Sequence, residues 1–182
     1  KNVLINSKSR DAWWLSKCFW AVSCVFTYFI LMWAIIIIFC VCGAGKLTLN
    51  VSKSLIFKMI PMPSENIFLS EGDLFSNRYL TCQMLLMPFL IVSALSVMQM
   101  AVSLVIKPFF SFCISAGILV LSAYYLNPLL LGNYAMSQRN DLLIDNGVNT
   151  KTGIVFSLAL LVLSCVVGLF IFRRYDILNK ED

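Results

Sequence analysis

The sequence has no histidine, and charged residues make up 13% of it, against about 25% in soluble domains. The missing histidine removes the commonest metal ligand and the commonest general base. Charge is also absent from the long apolar stretches. From Cys18 to Cys42, and again through residues 79–106, 109–126 and 153–172, there is no Asp, Glu, Lys or Arg. Proton-coupled transporters and voltage sensors need ionisable groups at membrane depth, so the sequence argues against both. A nucleophile paired with a base is likewise missing, which argues against an intramembrane enzyme. The net charge of +5 is not gathered on a basic, solvated face, so no nucleic-acid partner is expected. It suits ends that lie against an anionic leaflet. Neither an internal repeat nor a low-complexity segment is present.

What fills the chain instead is apolar, at 60% of residues. The run from Cys18 to Cys42 exceeds the ~20 residues that cross a ~30 Å hydrocarbon layer as a helix. Trp13 and Trp14 precede it, where amphipathic rings settle at headgroup depth, and Lys17 can extend back to water. Three further apolar stretches predict an all-α polytopic membrane bundle of four transmembrane helices, near residues 15–42, 79–106, 109–126 and 153–172. Pro88 should kink the second. Lys107 and Pro108 make a short turn into the third, Asn127 and Pro128 end it, and Arg173 and Arg174 stop the fourth. The expected division is a cytoplasmic basic and aromatic lead-in over residues 1–17, then a transmembrane domain over residues 18–182.

The connections are uneven. Between the first two spans, Leu55, Ile56, Met59 and Ile60 flanked by Lys53 and Lys58 read as a short interfacial helix, stopped by Pro61 and Pro63. Residues 129–151 begin apolar and turn polar, so they should dip into the membrane edge where protein covers their backbone. Four spans place both ends on one side. Lys1, Lys8, Arg10, Lys17, Lys107, Arg173, Arg174 and Lys180 on that side outnumber Lys46, Lys53, Lys58, Arg78, Arg139 and Lys151, which makes it the cytoplasmic side of a cell membrane. The chain begins at Lys1 and not Met, which reads as the later portion of a longer protein.

Several motifs carry little. The seven cysteines all lie in or beside apolar runs and read as reduced packing thiols, with Cys40 and Cys42 too close for a good disulfide. Gly43, Ala44, Gly45, Lys46, Leu47 looks like the end of a phosphate-binding loop. It fails because Leu47 stands where Ser or Thr would hold Mg²⁺, Cys40 stands at the first glycine position, and a membrane helix precedes it. The Asn50-Val51-Ser52 sequon has nothing beside it to support a secretory setting.

Polar stripes carry more. Ser93, Ser96, Gln99 and Ser103 fall on about a third of the second helix's circumference and are candidates for lining a substrate path; packing hydrogen bonds are the plainer use. On the fourth helix, Gly153, Ser157, Ser164 and Gly168 share a face suited to close helix packing, and Ser111, Ser115 and Ser122 do so on the third. At the start of the first span, Arg10, Trp13 and Trp14 suit a protein contact, with a membrane-interface collar as the rival use.

The lead-in Ser9-Arg10-Asp11-Ala12-Trp13-Trp14-Leu15-Ser16-Lys17, residues 72–80, the loop over 127–153 and the closing GLFIFRRYDIL over 168–178 resemble Gram-positive ABC-2-type permeases. These are membrane subunits of ABC exporters, including those tied to bacteriocin or antimicrobial-peptide export and self-immunity. The resemblance implies that the four spans correspond to the last four of six, in a permease homo- or heterodimer. It implies a separate ATP-binding cassette subunit holding ATP and Mg²⁺, and this chain would have no cofactor of its own. It also implies an outward half-helical gate between the last two spans. Arg10, Asp11, Trp13 and Trp14 would then take the place of the short helix that docks on the ATPase. The expected function is export of a peptide or other amphipathic compound; the alternative is a self-standing four-helix scaffold or immunity protein.

Topology is open to a direct measurement. Single cysteines at Asn50 and Asn146 in a cysteine-free background should react with an impermeant thiol reagent added outside, while cysteines at Ser9 and Lys180 should not. Labelling of both ends from outside would overturn the assignment.

Overall fold

The computed structural model describes residues 10–44, 51–52, 74–75, 78–141, 143–144 and 146–174. The interfacial helix expected around Leu55 to Ile60, the chain before Arg10 and the chain after Arg174 lie outside these residues. Helix α1 (Arg10–Ala44) is followed by a two-residue antiparallel ladder of β1 (Val51–Ser52) with β2 (Leu74–Phe75), which closes the connection to α2 (Arg78–Val102). Then come α3 (Pro108–Tyr124), the single turn α4 (Gly132–Ala135), a 3₁₀ turn at Ser137–Arg139, and α5 (Thr150–Arg174).

Among the described residues, three helices are long and apolar enough to cross a membrane: Arg10–Gly43, Gln83–Val102 and Thr150–Arg174. The chain is therefore a helical membrane protein. Against the four expected spans, α3 has 17 residues, a rise of about 25 Å against a ~30 Å core.

The element boundaries have local causes. Arg10 to Lys17 are the first turns of α1 and not a separate lead-in, because Trp13 and Trp14 are docked on α5 through Phe172. Helix α2 continues through Pro88 and ends at Val102, where the expected span runs to Ile106. Its end loosens, with Leu104 N–H bonded to the Ala101 carbonyl at 3.3 Å and Val105 N–H to the Val102 carbonyl at 3.0 Å, each reaching three residues back instead of four. The cause is Pro108, which excludes helical geometry at the residue before it; Lys107 sits at φ −58° and ψ 141°. Pro108 then opens α3, where a missing N–H leaves nothing unpaired. Helix α5 begins at Thr150, three residues earlier than expected, because the Asn149 side-chain oxygen accepts the Lys151 N–H at 2.9 Å as an N-cap.

The helices alternate in direction. At one end Trp14 and Cys18 of α1, Val97 and Ala101 of α2, and Phe172 of α5 form one buried cluster. At the other, Met87 and Ile91 of α2 join Leu131, Tyr134 and Val148. So α2 and α5 run side by side in the same direction, α1 runs against them, and α3 turns back at Pro108. Midway, the rings of Phe26 and Phe29 meet Phe89 edge-on at 5.8 and 6.0 Å.

Between helices in lipid there is no hydrophobic driving force, so contact depends on small residues that admit close approach. A Cβ added at Gly168 would stand 2.1 Å from Cζ2 of Trp14, and one at Gly153 would stand 2.5 Å from Cδ1 of Tyr134. Gly168→Ala should lower stability by about 1–3 kcal/mol, the usual cost of overfilling a packed site, read as a drop in Tm in detergent. Gly117→Ala, with nothing within 4 Å of its added Cβ, should leave Tm unchanged or raise it. Equal responses from the two variants would mean that Trp14 is not seated on Gly168.

Candidate functional site

The expected path residues separate into two groups. Ser96, Gln99 and Ser103 are brought together with Met100 and Pro108 around a cleft of about 270 Å³ at the elbow between α2 and α3. The elbow exists because α2 loosens before Pro108, and Ser111 of α3 bonds back to the Gln99 carbonyl at 2.6 Å. Ser96 and Ser103 spend their hydroxyl protons locally, on the carbonyls of Val92 and Met100, each at 2.7 Å. The Gln99 amide lines the cleft without a hydrogen-bond partner among the described residues. Ser93 lies apart from the cleft, 1% exposed. Its hydroxyl and that of Ser157 are buried without partners among the described residues, a state that costs on the order of 1 kcal/mol per group.

The packing residues Gly153, Ser157, Ser164 and Gly168 are all buried. They bring α5 against other parts of the same chain: Tyr134 and Met87 at Gly153, and Trp14 at Gly168.

At the Arg10 end, Trp14 is 1% exposed, and its indole N–H donates to the Cys165 carbonyl at 3.0 Å. It is an interior residue of the bundle and presents no surface to a partner. Asp11 pairs with Arg173, whose Nε donates to Oδ1 at 2.7 Å and whose Nη2 donates to the second oxygen. Arg10 Nη1 donates to the Arg173 carbonyl at 3.3 Å. Trp13 stacks on Phe172 at 4.9 Å and 11°, with the Lys17 ammonium 5.4 Å from its ring centre. All four residues therefore bind α1 to the end of α5.

A second polar assembly went unread in the sequence. The segment between α3 and α5 folds against α2, and its centre is a buried chain of side chains. Gln83 donates to the Tyr134 carbonyl at 3.0 Å and accepts from Asn140, which also reaches Thr150 Oγ at 2.8 Å. Arg139 covers the open end of α3, donating to the carbonyls of Ser122, Ala123 and Tyr125 and to the side-chain oxygen of Asn133. These carbonyls have no helical partner, and a cation suits the negative end of the helix dipole. Asn133 in turn donates to the Tyr125 and Asn127 carbonyls at 3.0 and 2.8 Å. The Tyr134 hydroxyl donates to the Pro128 carbonyl at 2.8 Å, and burial pushes its phenol pKa up. Gly147 closes the turn: a Cβ there would stand 2.6 Å from the Asn140 backbone. The available signal was Gln83, a lone amide in the apolar start of the second span.

Chemically, the elbow offers uncharged donors and acceptors, and among the described residues no group of three His, Cys, Asp or Glu is placed to hold a metal ion. Comparison with known family models, with curated proteins and with solved structures gives no match. The class established by the structure is thus a helical membrane protein with a fastened loop beside its last helix.

Loss of the guanidinium should loosen that loop. Arg139→Gln should raise amide exchange over residues 125–136 by about tenfold or more, since two buried acceptors, the Ser122 carbonyl and the Asn133 side-chain oxygen, lose a charged donor at about 1–3 kcal/mol each. Arg139→Lys should be intermediate, because an ammonium cannot reproduce the planar fork. Unchanged exchange in Arg139→Gln would show that the loop is held without it.

Proposed function

We propose that this chain is the membrane-spanning permease subunit of an ABC-2-type exporter. It moves a peptide or other amphipathic compound and is driven by a separate ATP-binding cassette subunit that holds ATP and Mg²⁺. The observation that carries the reading is the segment between α3 and α5, where α4 and the 3₁₀ turn fold against α2 and α3. A half-helical element in that place is what the resemblance to these permeases implies. The elbow cleft gives further support, because Ser96, Gln99 and Ser103 can hydrogen-bond a polar solute without fixing its charge.

On this reading α3, lengthened by the turn at Lys107 and by the extended Tyr125, is the third of the four spans. The Arg10 end faces the cytoplasm of a cell membrane, and two permease chains pair as a homo- or heterodimer. The ATPase contact falls to the outward parts of Arg10 and Trp13, since Trp14 is committed to α5.

Two measurements test the reading. An ATP-binding cassette protein encoded beside this chain should co-purify with it from membranes. Gln99→Leu should abolish export while the amount of folded protein stays the same. If Gln99→Leu lowers Tm and expression while export per molecule is kept, the elbow serves packing. If no ATPase co-purifies and export survives deletion of the chain, it acts as a self-standing membrane scaffold or immunity protein.

A further inference from the structure

A second cavity, of about 350 Å³ and lined mainly by apolar side chains, runs along the outside of the bundle between α2 and α5. Its walls include Met98 and Val102 from α2, Ile106 from the turn that follows it, and Leu160, Val167 and Ile171 from α5. Ile106 and Val167 are exposed, at 41% and 43%, and these helices are long and apolar enough to lie in a bilayer. From Leu160 to Ile171 the groove follows α5 for about 16 Å at 1.5 Å per residue, roughly half of a ~30 Å hydrocarbon core. It is thus the length of one leaflet and not of a whole span.

At the Arg10 end the groove is bounded by Ile106 and Ile171, and a cation follows each of them closely in the chain. Ile106 is followed directly by Lys107, and Arg174 stands two turns beyond Val167 on the same face of α5. Both side chains are exposed, and neither has an anionic partner among the described residues. Arg173, next in sequence, is already paired with Asp11.

We infer that this groove holds one acyl chain of an anionic phospholipid from the leaflet at the Arg10 end, with Lys107 and Arg174 on its headgroup phosphate. The apolar walls alone select nothing, because lipid tails are as apolar as the side chains they would replace. Selection comes from the two cations at the headgroup level, the setting in which basic residues beside transmembrane helices hold anionic lipids. A helix from another chain would run past both ends of so short a groove, and it would leave Lys107 and Arg174 without a counter-charge. The inference requires the membrane reading of the fold and is independent of the transport reading.

Native mass spectrometry of the purified full chain tests it, in detergent micelles doped with equimolar phosphatidylglycerol and phosphatidylcholine. One phosphatidylglycerol per chain should be retained over phosphatidylcholine by about tenfold or more, as two cations at a lipid surface allow. Lys107→Gln with Arg174→Gln should bring the ratio near one. Val167→Trp, which fills the groove, should lower retention of both lipids. Lys17→Gln, at the same end but on α1, should keep the preference. Equal retention of the two lipids by the unaltered chain would overturn the inference, as would a preference that survives the double variant or falls equally in Lys17→Gln. A dimer that carries no bound lipid and dissociates in Val167→Trp would also overturn it, assigning the groove to a second copy.

Discussion

Close approach to one face of α5 is the constraint on which the rest of the bundle depends. Apolar helices gain nothing by leaving lipid for one another unless they fit more tightly than lipid fits them. Gly153 and Gly168 provide that fit at the two ends of one helix, admitting the rings of Tyr134 and Trp14 where any larger residue would collide. Trp14 carries α1 with it, Tyr134 carries the loop, and α2 lies alongside through Met87 and Ala101. Most of α1 remains available to lipid, with 6% of its most apolar window buried. Its attachment is therefore concentrated at two places, Trp14 with its neighbours and the Phe26 and Phe29 rings on Phe89.

The polar groups follow a second rule, that a backbone group without water must find a partner inside the protein. Helix α3 ends at Tyr124, short of any continuing partner, and Arg139 returns from the loop to take its last carbonyls. The loop can then lie against the bundle because Gln83, Asn140 and Thr150 satisfy one another and its backbone. This arrangement makes the loop a built part of the bundle. A substrate gate placed there would have to break defined hydrogen bonds to move, which gives such a motion a measurable cost.

At the opposite end, Pro108 has consequences beyond the turn it makes. By forcing Lys107 out of helical geometry it loosens the end of α2, opens the elbow around Gln99, and leaves Lys107 next in sequence to Ile106 of the groove wall. The polar cleft and the apolar groove therefore share α2 as a common wall, and the α1 to α5 contact through Trp14 and Phe172 lies at the same end. A push on Arg10 or Trp13 would reach α5 directly, because Trp13 stacks on Phe172.

Apolar run length and the absence of charge determined the membrane class and the approximate helices from the sequence alone, because crossing hydrocarbon is a property of each segment by itself. The small face of α5 is likewise a property of one segment, since helical periodicity places Gly153, Ser157, Ser164 and Gly168 together whatever they touch. Pairing is different, because it depends on which faces meet. Trp14 has the composition of a membrane-interface or partner residue, and only its seat on Gly168 and its bond to Cys165 make it interior. Gln83, Arg139, Asn140 and Thr150 lie up to 67 positions apart in the chain (150 − 83), so no local pattern could join them into one network. Ser93 shares its helical face with Ser96 and Gln99, yet the elbow that gathers Ser96, Gln99 and Ser103 arises from a turn at Pro108 and leaves Ser93 inside. Side-chain spacing fixed which residues could face one way; the tertiary contacts decided what each of them faces.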